Sequence, residues 1–83
     1  MEENFTNCMV EIGNRIKEWR ISKGLSQREF AFLSNTTQSH VSECERGLTK
    51  MQIVTLIKFA AVLEISTMEF FESRIETNGG KAL

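Results

Sequence analysis

The stretch Ser26-Gln27-Arg28-Glu29-Phe30-Ala31-Phe32-Leu33-Ser34-Asn35-Thr36-Thr37-Gln38-Ser39-His40-Val41-Ser42-Glu43-Cys44-Glu45-Arg46-Gly47 decides the fold. Ser26 and Glu29 have the spacing of a capping box, in which a serine hydroxyl and a glutamate carboxylate each satisfy an orphan N–H at a helix start. A helix opening there turns Phe30, Ala31 and Ser34 inward. It ends at Asn35, the residue type other than glycine that best tolerates the left-handed region. Thr37 suits a second N-cap, opening a helix over Gln38–Glu45 with Val41 and Cys44 on its inner side. Gly47 stops it. With one helix ending at Ser34 and the next starting at Gln38, the connecting turn is three residues long. So short a turn makes the two helices cross steeply, leaving the outer face of the second free to project.

Outward from this pair, the chain is punctuated as more helix. Ile12, Ile16 and Trp19 recur at i, i+4 and i+7, which predicts a helix from about Met9 to Lys23 that Gly24 ends. Trp19 reads as core by the same spacing. A fourth helix is predicted from about Gln52 to Leu63, with Ile53, Leu56, Ile57, Phe59, Ala60 and Leu63 available to the core. A second capping box, Ser66-Thr67-Met68-Glu69, predicts a fifth helix carrying Phe70 and Phe71. The β-branched residues do not alternate, so no strand is expected. The class is all-α: a compact five-helix bundle with a helix-turn-helix at its centre. Residues 1–8 are expected as a flexible N-terminal arm, 9–76 as the domain and 77–83 as a flexible C-terminal tail. With no proline and no internal Gly-rich stretch, there is no linker.

Composition excludes several function classes. Eighty-three residues cannot build a barrel or a doubly wound sheet. One histidine, no tyrosine, no metal-ligand spacing and no phosphate-cradling glycine loop leave nothing for an enzyme, so no catalytic residue, metal or cofactor is expected. The longest apolar run, Phe59 to Leu63, is far short of the roughly 18 residues of a membrane span. The acidic start Met1-Glu2-Glu3-Asn4 does not resemble a signal peptide. Cys8 and Cys44 are too few for a disulfide framework, which suits a cytoplasmic location with reduced thiols. The net charge of −1 hides a distribution. Residues 14–50 are basic, through Arg15, Lys17, Arg20, Lys23, Arg28, Arg46 and Lys50, and both flanks are acidic. That pattern fits one anion-facing side.

The chain resembles the Cro/C1-type helix-turn-helix proteins, the XRE family of bacterial and phage regulators. The resemblance rests on Ile12-Gly13-Asn14-Arg15-Ile16, Arg20, Lys23-Gly24-Leu25-Ser26-Gln27, Phe30-Ala31, Thr37-Gln38-Ser39, Val41-Ser42, Glu45-Arg46-Gly47 and Leu63-Glu64-Ile65-Ser66 with Phe70-Phe71, in order and at the right spacing. It covers Ile12 to Phe71. Two departures stand out: Met51 where the family often has proline, and Asn35 where it has a turn glycine. The stretch Phe30–Asn35 and the tail Phe70-Phe71-Glu72 are most similar to restriction–modification controller proteins. The resemblance implies sequence-specific binding of double-stranded DNA by a homodimer, with RNA polymerase as a further candidate partner and no membrane.

Base reading falls to the exposed start of the third helix, which enters the major groove. Gln38, Ser39, His40, Ser42 and Glu43 occupy those positions. Gln38 can pair in bidentate fashion with adenine N6 and N7. Ser39 and Ser42 specify less sharply. His40 can reach a base edge or a phosphate, or stay solvated. Glu43 either accepts from a cytosine amino group or points away, and the second is favoured because an unpaired carboxylate in the groove is costly. Gln27, Arg28, Thr37, Arg46, Thr49 and Lys50 are candidates for the DNA backbone. The resemblance further implies that Gln27 buttresses Gln38 and that Arg20 and Glu45 form a mostly buried salt bridge. Cys44 takes an aliphatic core position, while Phe32 and Leu33, where the family is more often polar, either cover core or form a contact surface. Met68, Phe70, Phe71 and Ile75 are expected at the dimer interface, with the end of the fourth helix.

Three readings compete. The first is a dimeric transcriptional regulator on a palindromic operator, either a restriction–modification controller or a prophage-type repressor. The second is a protein-interaction module, such as an antitoxin that also autoregulates. The third, an enzyme, has no residues to carry it.

Overall fold

The computed structural model describes residues 2–71, with side chains from residue 7 onward. Four α-helices follow one another: α1 (Glu2–Ser22), α2 (Gln27–Leu33), α3 (Gln38–Glu45) and α4 (Ile53–Leu63). A 3-10 turn, Thr67–Phe70, closes the described chain. No strand occurs among the described residues, and no helix there is long and apolar enough to cross a membrane.

Local chemistry sets the central pair of helices. Glu29 N donates to the Ser26 hydroxyl at 3.0 Å and Ser26 N donates to Glu29 Oε1 at 2.8 Å, so the capping box is formed at the start of α2. Asn35 takes φ of 60° and turns the chain. The Thr37 hydroxyl then accepts from His40 N at 3.1 Å and caps α3. Each cap satisfies an N–H that a helix start otherwise leaves bare.

The core is built from Ile16, Phe30, Val41, Cys44, Leu56, Phe59, Leu63 and Phe70, with Ala31 and Ala60 filling between them. Phe30 of α2 and Phe59 of α4 stack at a tilt with ring centroids 4.7 Å apart, an arrangement that stabilises beyond area burial. Ile12 and Trp19 of α1 are partly buried against the same cluster. α1 also crosses close over the end of α3. A Cβ on Gly13 would lie 2.4 Å from the Cys44 carbonyl oxygen, so only glycine permits this approach. Gly47, at φ of +71°, ends α3 directly beneath the backbone of Val10.

Three expectations need correction. α1 begins at Glu2, a full two turns before Met9. The fifth helix is a single 3-10 turn instead of an α-helix. Its Ser66 hydroxyl accepts from Met68 N, and Glu69 N donates to the Ser66 carbonyl, so the expected capping box does not form. The tight turn seats Phe70 in the core, and the Phe70 carbonyl accepts from Arg15 Nη1 at 3.0 Å. Ile53 and Ile57 are exposed, at 63% and 52%. Leu56, Phe59, Ala60 and Leu63 form the inner stripe of α4. Ile57 lies about 100° round from Leu56, and Ile53 opens the helix beyond the edge of the core. Of the two readings of Phe32 and Leu33, covering core is set aside and a contact surface is left: both are exposed, Phe32 at 82%.

Candidate nucleic-acid interface

α3 carries one polar stripe. Gln38, Ser39, Ser42, Glu43 and Arg46 sit at i, i+1, i+4, i+5 and i+8, which places them on one side of the helix. Together with Gln27 of α2 they line a shallow polar depression of about 310 Å³. The opposite side of α3 buries Val41 and Cys44, which fixes the stripe outward. His40 falls off the stripe and is half-buried, so the structure does not bring it to the other base-reading candidates.

Behind the stripe runs a chain of hydrogen bonds. Arg20 Nε donates to Glu45 Oε2 at 2.6 Å and Arg20 Nη2 to Glu45 Oε1 at 3.1 Å, a bidentate pair with both side chains buried. Arg20 Nη1 donates to the Leu25 carbonyl at 2.7 Å, tying the pair to the α1–α2 connection. Gln27 Nε2 donates to Glu45 Oε1 at 3.0 Å. Gln38 Nε2 in turn faces Gln27 Oε1 at 3.5 Å, a long contact that still sets which atoms meet. Four of the named residues are thus brought into one network, reaching from the interior to the first residue of α3.

The cationic candidates surround this network. Arg28, Arg46 and Lys50 are exposed, and Thr49 is half-buried in the loop after α3. Thr37 is exposed, and its hydroxyl, an acceptor from His40 N, retains its own proton for an outside acceptor. Among the described residues no group of His, Cys, Asp and Glu is placed to hold a metal ion. Of the dimer candidates, Phe70 is fully buried in its own chain and cannot serve a partner. Met68 and Phe71 are exposed, and Ile75 lies outside the described residues. Burial, with the Glu43 and Glu45 carboxylates adding to it, pushes the Cys44 thiol up to about 11, which makes it inert.

The helix-turn-helix family model HTH_3 matches residues 16–70, two thirds of the chain. The chain belongs to this family. Its curated relatives are transcriptional regulators. The HTH-type transcriptional regulator SinR of Bacillus subtilis is 39% identical over 67 residues, covering 80% of this chain and 60% of SinR. The regulator PuuR of Escherichia coli is 42% identical over 59 residues, covering 71% of this chain and 32% of PuuR. This helix-turn-helix chain therefore spans less than two thirds of the length of these relatives, 60% of SinR and 32% of PuuR. Among solved structures it is similar to the restriction–modification controller protein C.AhdI from Aeromonas hydrophila, at a TM-score of 0.74 and 41% identity, covering 76% of this chain and 96% of that one. It is also similar to SinR in complex with DNA, at a TM-score of 0.70 and 39% identity, covering 74% and 98%.

Within the helix-turn-helix chain, one link was not anticipated from sequence: the bond from Gln27 to Glu45. A signal for it existed. A carboxylate offers about four acceptor positions, and one arginine fork fills only two. A buried Glu45 therefore needs a further donor, and Gln27 at the start of α2 is within reach.

Proposed function

We infer that this chain is a sequence-specific double-stranded DNA-binding transcriptional regulator, acting as a dimer on a palindromic operator. The polar stripe on α3 carries the reading. It is exposed and held rigid by a buried face, and its first residue, Gln38, is tied through Gln27 to a buried ion pair. In this reading α3 enters the major groove at its N-terminal end, with Gln38 on an adenine and Ser39 and Ser42 on neighbouring edges. Glu43, which shares the depression with Arg46, either accepts from a cytosine amino group or turns to that cation. Gln27, Arg28, Thr37, Arg46, Thr49 and Lys50 hold the DNA backbone and carry no sequence information themselves.

A single small domain makes few contacts, and two copies on half-sites roughly 34 Å apart gain through effective concentration. Exposed Met68 and Phe71 are the apolar side chains proposed to join the two copies, with Ile53, Val54 and Ile57 in the first half of α4 in place of its expected end, where Leu63 is buried. The likeness to C.AhdI, 41% identical and matched over 96% of that chain, supports the controller subtype. Sedimentation velocity and a nuclease footprint upstream of the protein's own gene test this together. A dimer at tens of micromolar protecting a two-fold symmetric site is expected. A monomer that protects nothing contradicts it.

A further inference from the structure

We propose that Arg15 is a positioning residue for the dimer: by holding the Phe70 carbonyl it fixes the turn that carries Met68 and Phe71, and so sets which half-site spacing two copies of the chain can read. The proposal rests on the reading above, in which the chain binds a palindromic site as a dimer.

The 3-10 turn Thr67–Phe70 is too short to hold a position by itself. Its own bonds run from Glu69 N to the Ser66 carbonyl, from Met68 N to the Ser66 hydroxyl and from Phe71 N to the Met68 carbonyl. Bonds in such turns are poorer in geometry than those of an α-helix. Two attachments of one residue set its place. The Phe70 ring is fully buried in the core. The Phe70 carbonyl accepts from Arg15 Nη1 at 3.0 Å, and a bond from a charged donor is of the stronger kind. A ring in a socket leaves the backbone around it free to tilt, and the bond at the carbonyl removes that freedom. Met68 and Phe71 flank Phe70 and are exposed, at 62% and 43%, so a tilt of the turn is carried straight to them.

Arg15 is itself anchored. Its side chain is only 17% exposed, and Nη2 faces Glu11 Oε1 at 3.8 Å. Committed to a carbonyl 55 residues away, the guanidinium leaves little of itself for a phosphate. Two residues earlier, Gly13 brings the same stretch of α1 against the Cys44 and Glu45 carbonyls at the end of α3. A helix rises about 1.5 Å per residue, so these two attachments lie about 3 Å apart along α1. One stretch of α1 thus joins the reading helix to the turn.

The partner is a second copy of this chain. Residues 51–57 hold no charged side chain. Ile53, Val54 and Ile57 among them are exposed, and α4 packs against the 3-10 turn. A two-fold interface sets residues near its axis against their own counterparts, which an uncharged apolar surface permits. Half-sites roughly 34 Å apart put each α3 about 17 Å from that axis. A tilt of about 10° at the interface then displaces α3 by about 3 Å, close to one base-pair step of about 3.4 Å.

Selection from random duplexes with the unaltered protein defines the palindrome. Anisotropy is then measured on that site, on duplexes with the half-sites one base pair closer or farther apart, and on a single half-site. Arg15→Met keeps the apolar stem and removes every donor. Arg15→Gln stays polar but is two bonds shorter and falls short of the carbonyl. Arg15→Lys keeps the cation and one donor. Circular dichroism melting checks that each variant folds.

The unaltered protein is expected to favour the selected spacing by about tenfold or more. In Arg15→Met and Arg15→Gln that ratio falls to within about threefold while half-site affinity stays within about twofold, and Arg15→Lys restores most of the preference. A general loss of stability weakens every duplex alike and leaves the ratio unmoved. A full spacing preference in a folded Arg15→Met or Arg15→Gln overturns the proposal and leaves the dimeric reading intact. So does a half-site affinity that falls in step with that of the palindrome. An unaltered protein that binds the palindrome no more tightly than the half-site overturns the dimeric reading, and the proposal with it.

Discussion

Arg20→Ala strands a carboxylate. Glu45 is 4% exposed and accepts from Arg20 Nε at 2.6 Å and Nη2 at 3.1 Å, with Gln27 as its remaining donor. Removing one partner of a buried pair typically costs about 3–5 kcal/mol, because the other charge stays buried without its counter-ion. The lost bond from Nη1 to the Leu25 carbonyl adds to this. A chain of 83 residues has a total stability of roughly 4–12 kcal/mol. The single change therefore removes a large part of it, and at about 4–8 °C per kcal/mol lowers the melting temperature by at least about 12 °C. Urea unfolding followed by circular dichroism measures the loss directly. The companion variant is Arg20→Met with Glu45→Leu, which replaces both charges by apolar groups. Such replacements are often neutral or stabilising, so the double variant is expected to regain most of what the single one loses. A single variant within about 1 kcal/mol of the unaltered protein, or a double variant as unstable as the single, refutes the reasoning.

Four further outcomes follow from the same structure. Gly13→Ala places a methyl group 2.4 Å from the Cys44 carbonyl oxygen and forces α1 away from α3, so thermal melting should show a loss of at least about 2 kcal/mol. A thiol reagent at pH 8 should label exposed Cys8 quickly in the folded protein and Cys44 only after denaturant is added. The Cys44 pKa is raised in the folded state, so its protonated thiol contributes stability that is whole below about pH 9 and is lost as pH rises toward about 11. Urea midpoints between those values should fall less steeply in Cys44→Ala. Lys50→Gln should weaken binding to specific and scrambled duplexes alike and reduce the salt slope by about one, as titrations at several salt concentrations would reveal.

The helix-turn-helix itself was legible because its signals are local. Ser26 with Glu29, Asn35 and Thr37 each act within four residues, and their caps and turn are found in place. The elements that depended on tertiary packing were not. Phe70 and Phe71 are adjacent and identical in sequence, and only the 3-10 turn decides that the first is buried and the second exposed. Ile53 and Ile57 read as core by type, but the inner stripe of α4 passes them by. Glu64 gave no sign of the left-handed conformation it adopts at φ of 60°. There the chain turns so that Ile65 packs on the core while Ile65 N donates to the Ala60 carbonyl at 3.0 Å. At the candidate site, the stripe on α3 follows from helical spacing alone. The Gln27–Glu45 bond does not, because it joins residues 18 apart through a buried charge. His40 counted as a base reader by position along α3, and its rotation about the helix axis sets it apart from the stripe.

DNA reading by α3 is tested most directly by fluorescence anisotropy of two labelled duplexes, one carrying the site selected by the protein and one scrambled, each at two salt concentrations. The polar stripe, its anchored glutamine and the flanking cations predict binding to the selected duplex at least about a thousandfold tighter, with affinity for both falling steeply as salt rises. Equal, weak binding to the two duplexes would contradict it, and would leave the exposed face of α3 to some partner other than DNA.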